Sequence, residues 1–304
     1  MKNNLSSSVL GHEALLLLTA IIWGLAFVAQ RAGMESIGPF AFNGLRFILG
    51  SISLLPLFYF FKQKPKQDNA TAQPKQTIKG GIISGVVLFI AASLQQVGMV
   101  YTTASNGGFI TSLYVIIVPV LGLFIGQKVN KQTWGGAAMA VAGLYLLSVQ
   151  DGFSINPGDL FVFASAFFWA AHLIIIGHYS TKTDVLRLAA MQFAVTGVLS
   201  MVVSIIIETT TMSQVIEAGI PILYGGLMSV GVAYTLQIIG QRKALPSHAA
   251  IILSLEALFA AIGGWILLSE KLNLQQQLGG MLMLTGLILA QIKIRKRKKV
   301  LTSL

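Results

Sequence analysis

The sequence predicts an all-α membrane protein with ten transmembrane helices, arranged as two inverted five-helix repeats. Three observations carry this. Ten apolar stretches of roughly 18–25 residues follow one another, the length that crosses ~30 Å of hydrocarbon at 1.5 Å per residue. The composition, 55% hydrophobic and 10% charged with mean hydropathy +0.76, excludes an ordinary soluble domain. The second half reads as a degenerate copy of the first. Because each copy holds an odd number of spans, the copies sit upside down relative to each other.

The spans are placed at 13–31, 39–61, 78–100, 104–127, 132–149, 158–179, 186–207, 216–240, 246–268 and 274–294. The first is read as an uncleaved signal anchor. It carries Trp23, Phe27 and Gln30 on one helical face. Span two carries Asn43 and Arg46, with Gly50 and Ser53 on the same stripe. Span three places Gln95 with Ser84, Ala91, Gly98 and Thr102. Span four opens on Asn106-Gly107-Gly108 and contains Pro119, where a helix kink is expected because proline removes a backbone hydrogen bond. Span six aligns Ser165, Trp169, His172 and Ile176, and span eight aligns Tyr234, Gln237 and Gln241. Glu256 lies near the middle of span nine. Gly81/Gly85 and Gly122/Gly126 read as GxxxG pairs that bring helices close. Spans five and ten are the least polar at mid-membrane. They are expected to brace the outside or to form a homodimer contact.

The repeat shows as offsets. Ile22-Trp23-Gly24 meets Phe168-Trp169-Ala170, and Asn43–Phe47 meets Ala189–Phe193 at the same spacing. Lys128-Val129-Asn130 meets Lys271-Leu272-Asn273, and Gly135-Gly136 meets Gly279-Gly280, with small drifts that loop insertions explain. The expected units are residues 1–149, 150–294 and a basic tail, 295–304. With the N-terminus inside, eighteen of the 21 Lys and Arg fall on the cytoplasmic side. Only Arg31 and Lys271 lie outside, and Arg46 is within a span. This positive-inside bias predicts a multi-pass inner-membrane protein with both termini cytoplasmic. The +11 net charge is thereby assigned to orientation and to anionic lipid rather than to nucleic acid.

Polar side chains within hydrocarbon need a reason. A charge at a helix centre costs ~2.5–3.5 kcal/mol on insertion scales. Arg46 and Glu256 must therefore face protein or water, as substrate-site groups or as a structural ion pair. Glu256 is also the candidate for proton coupling. Trp23, Gln30, Asn43, Gln95, Trp169, His172 and Tyr234 are candidates for the lining of a cavity, with helix packing as the competing reading. Zero cysteines and four histidines, none spaced as His-x-x-x-His, leave no metal site and no thiol chemistry. An enzyme is disfavoured for want of a nucleophile–base constellation. No phosphate-binding Gly-x-x-x-x-Gly-Lys-Ser/Thr loop exists, so nothing encodes an ATPase and any pumping draws on a gradient; no cofactor is expected.

The stretches Ile22–Ala29, Leu45-Arg46-Phe47, Ala104–Tyr114 through Pro119, and Ala244–Ala250 through Glu256 carry a family pattern. With the glycine-rich endings Gly135–Leu147 and Gly279–Ala290, the chain resembles the EamA-type branch of the drug/metabolite transporter superfamily over essentially its whole length. The resemblance implies ten helices, inverted repeats and secondary transport of small metabolites by alternating access, often the efflux of amino acids or related compounds. Tyr114, within the carrying stretch, joins the cavity candidates. Organic-cation or drug efflux, and a channel or lipid flippase, are the alternatives. Where the family usually has Glu-Pro, this chain has Glu256-Ala257, which leaves the shape of span nine open.

Overall fold

The computed structural model describes residues 2–60, 74–102, 104–127, 129–148, 157–267 and 273–291. The polar linker before Pro74, residues 149–156, residues 268–272 and the basic tail lie outside these residues. The described residues form helices, with no strand among them. Spans one to three are α1 (Lys2–Gly33), α2 (Pro39–Ser53) with α3 (Leu55–Phe60), and α4 (Pro74–Tyr101). They are followed by α5 (Ala104–Ser112) and α6 (Tyr114–Phe124), α7 (Lys131–Ser148), α8 (Pro157–Tyr179) and α9 (Val185–Ile207). The short α10 (Met212–Glu217) leads into α11 (Gly219–Leu223), a π-helical segment Tyr224–Tyr234 and α12 (Thr235–Gln241). The chain ends in α13 (Pro246–Leu253), α14 (Glu256–Leu267) and α15 (Leu274–Gln291).

Among the described residues, eight spans are long and apolar enough to cross a membrane. The two remaining expected spans are the helices α7 and α15, each 18 residues long with polar first turns. Four of the helices, α2, α4, α8 and α13, start on a proline, whose missing N–H is no loss in a first turn. Pro56 accounts for the break between α2 and α3, since it cannot donate to the Ile52 carbonyl. Polarity is reversed relative to a soluble protein. Ile205, Ile206, Ile220 and Phe124 are exposed, whereas Gln30, Asn43, Arg46, Gln95, His172, Gln192, Gln237 and Glu256 are buried. Such a surface suits lipid, and such an interior confines the polar groups to protein.

The helices pack across the two halves. α1 lies on α14, α12 and the π-helical segment, while α8 lies on α4, α5 and α6. α2 and α9 pack on each other, α2 also on the π-helical segment, and α9 also on α4. α5–α6 meet α13–α14, and α7 meets α15. At that last crossing, a Cβ on Gly136 would stand 2.5 Å from the Gly286 carbonyl, and one on Gly286 2.7 Å from that of Gly136. Only glycine permits the approach.

Three details depart from expectation. The interruption of span four lies at Leu113, between α5 and α6, while Pro119 sits inside α6. Span nine is interrupted at Ser254–Leu255 without a proline, helped by the Ser254 hydroxyl, which donates back to the Ile251 carbonyl at 2.9 Å. The Gly122/Gly126 pair is a helix cap rather than a helix–helix contact. Gly126 has φ +76°, its Cβ position is open, and the Gln127 and Gly126 amides return to the Gly122 and Leu123 carbonyls. That is a Schellman ending. Gly81 and Gly85 do meet a neighbour, the Met191–Val195 stretch of α9.

Candidate functional site

The two interruptions place chemistry at the centre of the molecule. Breaking span four at Leu113 and span nine at Ser254–Leu255 brings Ser112 and Tyr114 against Ser254 and Glu256. The Tyr114 hydroxyl donates to Glu256 Oε1 at 2.9 Å. Ser112 Oγ stands 3.5 Å from the same oxygen and 3.4 Å from the Ser254 carbonyl. Gly24 lets α1 approach closely, since a Cβ there would lie 2.8 Å from the Glu256 carbonyl. Glu256 is thus the first residue of α14, 4% exposed, and among the described residues its hydrogen-bond partners are hydroxyl donors and no cation.

Arg46 is held from the opposite side. Its Nε donates to Asn43 Oδ1 at 3.0 Å, and Asn43 Nδ2 donates to the Ala92 carbonyl at 3.0 Å. The guanidinium lies over the Phe42 and Phe47 rings at 5.4 and 5.0 Å. These contacts fix the arginine without neutralising it. Both charged groups line one cavity of about 30 Å³, with Trp23, Gln30, Gln95, Tyr114, Trp169 and Tyr234 among its other walls. That is room for one or two water molecules.

The two tryptophans are anchored in matching ways. Trp23 Nε1 donates to the Ser229 carbonyl of the π-helical segment at 3.2 Å. Trp169 Nε1 donates to Gln95 Oε1 on α4 at 2.7 Å. Gln95 continues the chain, donating to Gln30 Oε1 at 3.0 Å, with Thr111 Oγ1 3.4 Å from its own oxygen. Tyr234 sits between the indoles, 4.6 Å from Trp23 and 6.2 Å from Trp169 by ring centroids. At the other end of the cavity, Gln237 Nε2 donates to Gln241 Oε1 at 3.0 Å, and Gln241 Nε2 to the Leu173 carbonyl at 2.9 Å. This orients the Gln237 amide and leaves its Oε1 buried without a partner.

Eight of the ten sequence candidates therefore line one cavity. Asn43 and His172 do not. Asn43 acts behind Arg46. His172 is fully buried behind Trp169 and Tyr234, its Nε2 3.0 Å from Gln192 Oε1 and its Nδ1 unpartnered. Phe27, Thr111, Leu173, Ser229, Gln237 and Leu253 complete the lining. Ser229 escaped the helical stripes for a physical reason. In a π-helix the backbone bonds i to i+5, so Ser229 and Tyr234 share a face that a 3.6-residue period assigns to different sides. Among the described residues, no cluster of His, Cys, Asp and Glu is suited to a metal ion.

The model of the EamA-like transporter family matches residues 12–149 and 156–291. This chain belongs to that family. An uncharacterized transporter of Archaeoglobus fulgidus is 32% identical over 92% of this chain and 85% of its own length. The uncharacterized inner membrane transporter YedA of Escherichia coli is 24% identical over 80% of this chain and 79% of its own. A solved crystal structure matches with TM-score 0.73 at 18% identity, covering 92% of this chain and 96% of that one, which bears on fold alone. The protein is a multi-pass membrane transporter of the EamA-like family.

Proposed function

We propose that the protein is a gradient-driven carrier that exports small zwitterionic metabolites, amino acids or related compounds, by alternating access through this cavity. One observation carries the reading: a cation, Arg46, and an acid, Glu256, line the same buried cavity, and the bonds that hold each leave its charge uncompensated. Burying either charge is costly, so a ligand bearing the complementary pair repays both. The indole and phenol walls supply apolar area, and the spare Gln237 oxygen accepts a donor. Glu256 is the group assigned to cation recognition or proton coupling, and no residue is assigned a catalytic role.

The size of the cavity supports a carrier over an open channel. About 30 Å³ is far below the ~300–1,000 Å³ of ordinary ligand pockets, so a metabolite binds only when the halves move apart. The architecture proposed is ten spans in two inverted units, residues 1–149 and 150–294. Exchanging α1 with α8, α2 with α9, α4 with α11–α12 and the π-helical segment between them, α5–α6 with α13–α14, and α7 with α15 maps most of the helix contacts onto one another, which supports the repeat. The charge bias supports cytoplasmic termini in an inner membrane, and α7 and α15 are the surfaces proposed for a homodimer. Counterflow into liposomes, tested with amino acids, organic cations, purines and sugars, decides the substrate. Saturable counterflow restricted to zwitterions is expected. Non-saturating flux, or uptake of cations only, would replace this reading.

A further inference from the structure

We propose that a second, larger groove beside α8 binds an anionic phospholipid. It measures about 770 Å³, within the ~300–1,000 Å³ of ordinary ligand pockets. Ile83, Ile125, Ile174 and Leu245 are among its apolar walls, and its rim carries Arg242, Lys243 and His178. Lys182 does not line the groove, but its Nζ stands 3.0 Å from Nε2 of the lining residue His178. Among the described residues, no carboxylate lines the groove. The walls lie on or just beyond spans that cross the membrane, while Arg242 and Lys243 lie past the end of the span that closes at Gln241. Apolar surface at membrane depth, with acid-free basic groups where headgroups sit, is complementary to one molecule class: a lipid with an apolar chain and a phosphate bearing net negative charge.

The groove also touches the transport path. Gln241 lines it and donates to the Leu173 carbonyl, and Leu173 lines the central cavity. A lipid there sits one side chain from that cavity. The site stands independently of what the central cavity carries.

The test uses the full chain in vesicles, with spin-labelled phosphatidylglycerol compared with spin-labelled phosphatidylcholine. The motionally restricted fraction should favour phosphatidylglycerol. R242Q/K243Q should reduce that preference by about fivefold per base. Leu245→Glu, an acid at an exposed wall position, should reduce it as well and guards against a folding artefact. R187Q, an exposed base on the α8–α9 side that does not line the groove, should leave it unchanged. An unchanged preference in both groove variants, an equal loss in R187Q, or displacement of the labelled lipid by inorganic phosphate would overturn the proposal.

Discussion

Replacing Gln95 by leucine should separate a structural glutamine from one that serves a ligand. Gln95 makes three polar contacts: it accepts from Trp169 at 2.7 Å, lies 3.4 Å from Thr111 and donates to Gln30 at 3.0 Å. Hydrogen bonds between membrane helices average ~0.6 kcal/mol each, so removing three costs ~1.8 kcal/mol. The Trp169 N–H is also left buried without an acceptor, which raises the cost toward ~3 kcal/mol. At ~2–4 °C per kcal/mol, melting should fall by about 4–12 °C. Gln237→Leu is the contrast. It loses one bond, to Gln241, and also removes an unpartnered buried oxygen. Its melting should stay within ~2 °C of wild type, while transport falls about tenfold if that oxygen meets the substrate. Fluorescence-detected size exclusion after heating measures the first quantity, and liposome counterflow the second. Equal melting for Q95L and Q237L would refute the reasoning about the network. Full transport by Q237L would refute the assignment of its free oxygen.

Glu208 accepts from the Phe40 and Ala41 amides at 3.0 and 2.8 Å, so α9's end caps the start of α2 from across the bundle. Glu208→Ala should cost ~0.5–2 kcal/mol, read as a lower melting temperature, with Glu208→Gln intermediate. Gly126→Ala should cost ~1–2 kcal/mol for its left-handed backbone alone, because nothing contacts a Cβ there. In this cysteine-free chain, Gln30→Cys should react with small aqueous thiol reagents and His172→Cys should not, since Gln30 lines the cavity and His172 is behind it. Labelling of both at the same rate would place His172 on the path.

The helices were legible wherever apolar length and a punctuating residue coincide. Span six, expected at 158–179, is Pro157–Tyr179, and span seven, expected at 186–207, is Val185–Ile207. The cavity was legible where lone polar residues sat on an α-helical face, as with Trp23, Gln30, Trp169 and Glu256. In span eight it was legible at Tyr234 but not at Ser229, which π-helical bonding shifts onto Tyr234's face, nor was it legible at Ser254–Leu255, where no proline announces the break. Asn43 and His172 show the limit of stripe reasoning. Each shares a face with a residue that lines the cavity, yet tertiary packing seats one against the Ala92 carbonyl and the other against Gln192. Gly122 and Gly126 have the spacing of a contact motif, but the chain ends its helix there instead.

The central claim is that Arg46 and Glu256 together form the two poles of the transport site. Glu256→Gln tests it most directly, because the amide oxygen still accepts from Tyr114 while the charge is gone. Counterflow of a zwitterionic amino acid should fall at least tenfold or lose its pH dependence, with the melting temperature within ~2 °C of wild type. Full counterflow with its pH dependence intact in that folded variant would contradict the account.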